Sequence, residues 1–155
     1  MPARRLALAS LTAILTLGAL AVAQDTAVVV DPAIATMTNE QLVEARQNAM
    51  RENGRTLRGA AGLTGADATA AATTLLKNFT NLPSLFREGS ITDKSGARPN
   101  IWENWEDFKS RFDKDAEAAA AMLAAATSGD AAAYGAALQE IGGSCNGCHE
   151  TYRGR

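Results

Sequence analysis

Residues 145–149 read Cys145-Asn146-Gly147-Cys148-His149, close to the end of a chain of 155 residues. Apolar side chains recur through this region at intervals of three or four residues, at Tyr134, Leu138, Ile141, Cys145, Cys148 and Tyr152. This spacing is typical of an amphipathic helix, which presents one apolar side to a protein core. We therefore predict that a last helix carries both cysteines on its core-facing side.

Three further segments show helical periodicity, and they cover residues 38–62, 65–81 and 99–126. The first begins with Thr38 and Gln41, which form a capping box. The 33 alanines of the chain favour helix in all of these segments. Four amphipathic helices with one long connection, at residues 84–98, predict an all-α protein of the four-helix-bundle class.

Composition and charge exclude several classes of function. The chain has 15 Lys and Arg against 17 Asp and Glu, a net charge of −2, so we expect no nucleic-acid partner. Its hydrophobic content of 46% is that of a globular chain. The sequence also offers no acid–base pair typical of a substrate pocket, so we expect no enzymatic activity.

The first 23 residues are typical of a secretory signal peptide. Arg4 and Arg5 precede an uncharged run of 18 residues that ends in Ala-Val-Ala at 21–23. That length is also the lower limit for a transmembrane anchor, but the small residues favour cleavage. We expect residues 24–155 to form a periplasmic domain that is not bound to the membrane. Without Arg4 and Arg5 it has 13 basic residues against 17 acidic ones.

The order Cys-x-x-Cys-His is the attachment signature of c-type haem. Two thiols three residues apart on a helix can each add to one haem vinyl group and form a thioether. A histidine next to the second cysteine can then ligate the iron. Export supports this interpretation, because the attachment chemistry needs thiols delivered across the membrane. We therefore predict one haem c per chain, attached through Cys145 and Cys148, with His149 as axial ligand.

Two other uses of the cysteines stay open, and both describe a helical structural module. A disulfide between Cys145 and Cys148 suits an oxidising compartment. It does not explain why the only histidine of the chain, His149, follows the pair. A zinc site could use these three residues, but the sequence offers no further Cys or His for a closed shell of four ligands.

Three stretches together resemble a known family. The end of the chain, residues 142–153, contains the haem motif. The first helix contains Arg46-Gln47-Asn48-Ala49-Met50, and residues 82–102 contain Leu-Pro, Glu-Gly-Ser and Ala-Arg-Pro-Asn-Ile-Trp. In this order they resemble the cytochromes c′, the class II c-type cytochromes, which include Met-ligated low-spin relatives. The resemblance implies an antiparallel four-helix bundle with haem between the helices, usually as a homodimer.

The resemblance also implies roles for residues outside the haem motif. Arg46 and Gln47 match positions that contact the haem and its propionates in relatives, and Arg153 matches an arginine beside the axial histidine. Met50 matches the position that faces the opposite, distal side of the iron. There an apolar residue packs over the iron in cytochromes c′, whereas a methionine ligates it in the low-spin relatives.

We expect Met50 to pack over the iron without bonding to it. The resemblance then implies binding of nitric oxide and carbon monoxide. A His/Met pair would instead favour electron transfer, because a methionine ligand raises the reduction potential. The expected function is therefore electron transfer to or from a redox partner protein, gas binding, or both.

Overall fold

A computed structural model describes residues 28–154, and in that range it contains α-helices and short 3-10 turns. The helices are α1 (Asn39–Gly59), α2 (Gly65–Asn81), α3 (Asn100–Glu103), α4 (Trp105–Ser128) and α5 (Ala131–Tyr152). Within residues 28–154 no helix is long and apolar enough to cross a membrane. The predicted signal peptide lies outside the described residues.

Four of these helices, α1, α2, α4 and α5, form the predicted bundle. Helix α4 packs against both α2 and α5, and α1 packs against α2. Because short connections join α1 to α2 and α4 to α5, the members of each pair run antiparallel. The core between them contains side chains that are almost fully buried, among them Leu42, Leu75, Leu82, Phe108, Met122 and Ile141.

The helix ends follow the polar residues that the sequence places there. At the start of α1, the Gln41 backbone N–H donates to Thr38 Oγ1 at 3.3 Å, and the Thr38 N–H donates to Gln41 Oε1 at 2.8 Å. This confirms the capping box, which satisfies two N–H groups left without helical partners. At the start of α5, Asp130 Oδ1 accepts from the Ala133 N–H at 2.9 Å.

The prediction of a single helix from residue 99 is wrong in one respect, because the helix is interrupted at Asn104. This residue has φ −123° and ψ 40°, and its side-chain Nδ2 donates to the Asn100 carbonyl at 3.0 Å. Asparagine side chains compete in this way with helical backbone hydrogen bonds. The result is a single turn, α3, set apart from the long helix α4. Helix α1 also ends three residues earlier than predicted, at Gly59.

Candidate functional site

A cavity of about 480 Å³ lies between α1, the start of α4 and the end of α5. The loop of residues 86–97 closes one side of it with Phe86 and residues 94–97. Its volume is within the usual range of cofactor and ligand sites, about 300–1,000 Å³. Six of the seven site residues singled out from the sequence line this cavity: Arg46, Gln47, Met50, Cys148, His149 and Arg153. Residues about 100 positions apart are thus brought together by the pairing of the bundle helices.

Cys145 is the seventh site residue, and it is not part of the cavity wall. It is half-buried, and its Sγ donates to the Ile141 carbonyl at 3.5 Å. The expectation that both cysteines face the core is therefore only half right, since Cys148 packs against the core cluster and Cys145 does not. Side chains three residues apart on a helix point about 60° apart, which separates the two thiols.

Both thiols are free in the structure. Burial raises the pKa of each. Among residues 28–154, no three His, Cys, Asp or Glu side chains are grouped so that they could hold a metal ion. The described residues thus give no support to the zinc alternative, and the two cysteines remain available for attachment of a cofactor.

The side chain of Arg46 brings a buried positive charge to the cavity. Only 3% of the residue is exposed, and its guanidinium carbon lies 4.6 Å from the centre of the Phe86 ring. Burial lowers the pKa of Arg46. Its hydrogen-bond partners are all neutral groups, so no carboxylate among the described residues offsets the charge. A buried charge of this kind is costly unless an opposite charge is bound nearby.

The cavity wall as a whole is cationic. It includes Arg46, Arg51, Lys94 and Arg153, and within residues 28–154 no Asp or Glu lines it. The chain itself is slightly acidic, so this clustering does not reflect its composition. Such a wall favours a ligand that carries negative groups such as carboxylates, which form strong charge-assisted hydrogen bonds with Arg and Lys.

His149 lies in the wall and is half-buried. Burial, followed by the positive charge of Arg153, lowers its pKa. The neutral imidazole is therefore favoured, and this is the form that ligates metals. Arg153 also lies next to His149 along the chain end, where its backbone N–H donates to the His149 carbonyl at 3.0 Å.

Sequence reasoning missed the aromatic part of the wall. The Phe108 ring makes edge-on contacts with Phe86, Phe112 and Tyr152 at centroid distances of 4.8, 5.1 and 5.1 Å. The intervals of Phe108, Phe112 and Tyr152 indicate a buried helix side, but a core and a cavity wall share that pattern. No sequence signal distinguishes the two. Phe86 and Lys94 belong to an irregular loop, which has no periodicity.

A family model described as Cytochrome C' matches residues 37–153 of the chain. The chain belongs to the cytochrome c′ family. Members of this family carry covalently bound haem c, so haem c is the cofactor of this protein, as predicted. The cavity fits that group, because it combines one free thiol, a histidine favoured as neutral imidazole, an aromatic wall and four cations that could face two propionates.

Relatives from two organisms match most of this cytochrome c′-family chain. A cytochrome c′ of Pararhodospirillum photometricum is 35% identical over 121 residues, which cover 74% of this chain and 97% of the relative. A cytochrome c-556 of Agrobacterium tumefaciens (strain II Chrys) is 39% identical over 121 residues, with coverages of 72% and 95%. The relatives thus include proteins named as cytochromes c′ and proteins named as cytochromes c-556.

Solved structures confirm the fold of the family. The crystal structure of cytochrome c′ from Thermochromatium tepidum superimposes with a TM-score of 0.70 at 25% sequence identity. The matched region covers 77% of this chain and 99% of that one. The prediction of a four-helix bundle of the cytochrome c′ type is therefore confirmed.

Proposed function

We propose that the protein is an exported electron-transfer and gas-binding haem protein, in which Cys145 and Cys148 form the thioethers and His149 ligates the iron. One observation carries the proposal: α5 brings Cys148 and His149, and α1 brings Met50, to one cavity with a cationic wall. Haem c held by these residues would supply a redox-active iron that can also bind small gases. The export part of the proposal rests on the predicted signal peptide, residues 1–23.

Each side of the cavity contributes a separate task. On the α5 side, Cys148 forms a thioether to the haem. His149 ligates the iron there, and its neutral imidazole is the favoured form. Arg46, with the other wall cations, provides positive charge for the propionates. Phe86, Phe108 and Phe112 exclude water from the apolar part of the wall. Water exclusion and a positive wall both influence the reduction potential, since a haem potential depends on burial and nearby charge.

Met50 sets the balance between electron transfer and gas binding. It is half-buried and packs against the core cluster, and α1, which carries it, packs on α2. We propose that it fills space over the iron without bonding to it, as methionine often does in irregular gaps. A small uncharged gas could then reach the iron. A cytochrome c′ variant from Alcaligenes xylosoxidans, 28% identical to this chain with a TM-score of 0.64, has been solved as its nitric oxide complex.

The protein has no enzymatic role in this proposal, and its partners are a redox protein and a second copy of the chain. The family resemblance supports the homodimer. Light scattering of the purified protein tests this part, since it reports the mass in solution. A mass of one chain at micromolar concentration would contradict it.

Absorption spectra of the ferric and ferrous protein, with and without carbon monoxide, test the function. We expect a Soret band, a ferrous spectrum of high-spin haem, and a shifted Soret band after carbon monoxide is added. A ferrous spectrum of low-spin haem that does not respond to carbon monoxide would show that Met50 or another residue ligates the iron. The protein would then be a dedicated electron carrier.

A further inference from the structure

Arg46 holds the loop that closes the cavity. Its Nη1 donates to the Leu85 carbonyl at 3.1 Å and to Ser90 Oγ at 2.8 Å. Its Nη2 donates to the Ser90 carbonyl at 2.7 Å and to Ser95 Oγ at 2.6 Å. A guanidinium has two N–H groups on each terminal nitrogen, so all four are used on the loop and on Leu85, the residue that precedes it. Ser90 and Ser95 are themselves buried.

Gln47 holds the same loop one residue further along α1. Its Nε2 donates to the Lys94 carbonyl at 2.6 Å. The two residues that resemble propionate contacts in relatives therefore both bind the loop, Arg46 through the N–H groups of its two terminal nitrogens and Gln47 through one N–H of its amide. This leaves the backbone of Lys94 and Ser95 tied to α1, at the edge of the cavity.

The other end of the loop is tied to α5. The Arg98 backbone N–H donates to the Tyr152 carbonyl at 3.0 Å, and the Gly154 N–H donates to the Gly96 carbonyl at 2.8 Å. The segment from residue 90 to residue 98 is thus held from both sides of the cavity. Its position does not depend on the exposed side chain of Lys94.

Arg51, another wall cation, already donates to Asn48 Oδ1 on its own helix at 2.5 Å. In residues 28–154 neither the Lys94 ammonium nor the Arg153 guanidinium has a hydrogen-bond or ion-pair partner, although both residues line the cavity. Of these two, only Lys94 lies in the loop that Arg46 and Gln47 fix to α1. An ammonium on a flexible stem can bind a carboxylate as a point charge.

We propose that Lys94 binds a haem propionate, and that Arg46 and Gln47 are positioning residues that hold its loop against α1. This assignment rests on the proposed function of the cavity. It differs from the roles implied by the family resemblance, which gave propionate contact to Arg46 and Gln47 themselves. The positive charge of Arg46 still favours a carboxylate in the cavity through space.

The test compares Lys94→Gln with Lys77→Gln in purified holoprotein. Lys77 is an exposed lysine of α2 that does not line the cavity, so it controls for loss of a surface charge. Resonance Raman bands of the propionate bending modes should shift in Lys94→Gln and not in Lys77→Gln. The midpoint potential should also fall in Lys94→Gln, because a nearby cation favours the ferrous state. Identical bands and potentials in both variants would overturn the role of Lys94.

The positioning role of Arg46 is tested with Arg46→Lys, which keeps the charge but loses the planar fork. If Arg46→Lys does not accumulate, Ser95→Ala replaces it. This variant removes one of the four hydrogen bonds of Arg46 and also the acceptor of the Ala97 N–H, so the exchange of Ala97 itself is left out of the comparison. Amide hydrogen exchange in residues 90–97 should be faster than in wild type, and the propionate bands should move toward those of Lys94→Gln. Unchanged exchange with shifted propionate bands would show that Arg46 contacts the propionate directly, and would overturn the proposal.

Failure of the proposed function is detected separately. A pyridine haemochrome spectrum of the wild-type protein is recorded before any variant is compared. If wild type holds no covalently bound haem at Cys145 and Cys148, the proposed function is wrong. If wild type holds it and the Raman bands of Lys94→Gln equal those of the control, only the role of Lys94 is wrong.

Discussion

Tyr152 Oη donates a hydrogen bond of 2.5 Å to Asp107 Oδ2, and so ties the last turn of α5 to the first turn of α4. Arg111 Nε donates to the same carboxylate oxygen at 2.9 Å, and the Arg111 guanidinium lies over the Tyr152 ring at 5.4 Å. The Tyr152 ring lines the cavity one turn beyond Cys148 and His149. This contact therefore fixes the part of α5 that carries the haem motif.

The Tyr152–Asp107 contact should make stability depend on pH in acid. The hydrogen bonds from Tyr152 and then from Arg111 lower the pKa of Asp107 in the folded protein. A lowered carboxyl pKa stabilises the fold above the unfolded value of about 3.9, and this contribution is lost as the pH falls below it. Tyr152→Phe should therefore unfold at a lower temperature than wild type at pH 7, and the difference should narrow below about pH 4.

Tyr134→Phe is the matched control for that measurement. The Tyr134 hydroxyl is buried and has no hydrogen-bond partner among residues 28–154. Its removal should therefore leave the unfolding temperature unchanged or raised, at either pH, since an unsatisfied buried hydroxyl costs free energy. Thermal melts followed by circular dichroism would contradict the account if both variants had the same pH dependence.

The capping box of α1 predicts a defined loss on substitution. Thr38→Ala removes the side-chain acceptor for the Gln41 N–H and should lower the free energy of unfolding by about 0.5–2 kcal/mol. Thr73→Ala is the control, because the Thr73 hydroxyl bonds only to the Thr69 carbonyl within α2. Urea unfolding of holoprotein measures both. Equal losses of unfolding free energy in the two variants would contradict the stabilising role of the cap.

Bound haem should contribute a large part of the free energy that stabilises the folded bundle. A protein in which Cys145 and Cys148 are both replaced by alanine loses covalent attachment, and the charge of Arg46 then stays buried with only neutral hydrogen-bond partners. We expect this variant, purified without haem, to melt at a markedly lower temperature than holoprotein, since a group bound only by the folded state stabilises it. His149→Ala should show an intermediate melt and an altered visible spectrum. A haem-free variant that melts at the same temperature as holoprotein would contradict the stabilising role of haem in the core of the bundle.

Substitution of Met50 tests access to the iron. If Met50 only fills space, Met50→Ala should keep the spin state of wild type and bind carbon monoxide at least as fast, because the thioether no longer obstructs the gas. Stopped-flow mixing of the ferrous protein with carbon monoxide measures the rate. If the substitution changes low-spin haem to high-spin haem, Met50 is a ligand and the gas-binding part of the proposal fails.

Much of the fold follows from the sequence because helix periodicity and caps are local. The periodicity of residues 65–81, the apolar stripe that ends at Tyr152 and the cap Thr38 depend only on residues within a few positions of each other. The break at Asn104 was not predicted, because it depends on a competition between one side chain and the backbone. Asparagine occurs within many helices without such a break.

Only those residues of the candidate site that belong to a recognisable sequence motif were predicted. Cys148, His149 and the resemblance at Arg46 and Met50 indicated residues that do line the cavity. The hydrogen-bond partners of Arg46 could not be predicted from the sequence, because Ser90 and Ser95 lie 44 and 49 residues away along the chain, in an irregular loop. The orientation of Cys145 was also missed, since the cavity occupies a narrower part of the helix surface than the apolar stripe does.

Acid–acetone extraction of the purified wild-type protein tests the central claim most directly, because thioethers to Cys145 and Cys148 survive an extraction that removes non-covalently bound haem. We predict that the haem absorbance stays with the precipitated protein, and that it passes into the acetone for a variant in which both cysteines are alanine. Haem released from the wild-type protein into the acetone would contradict the account.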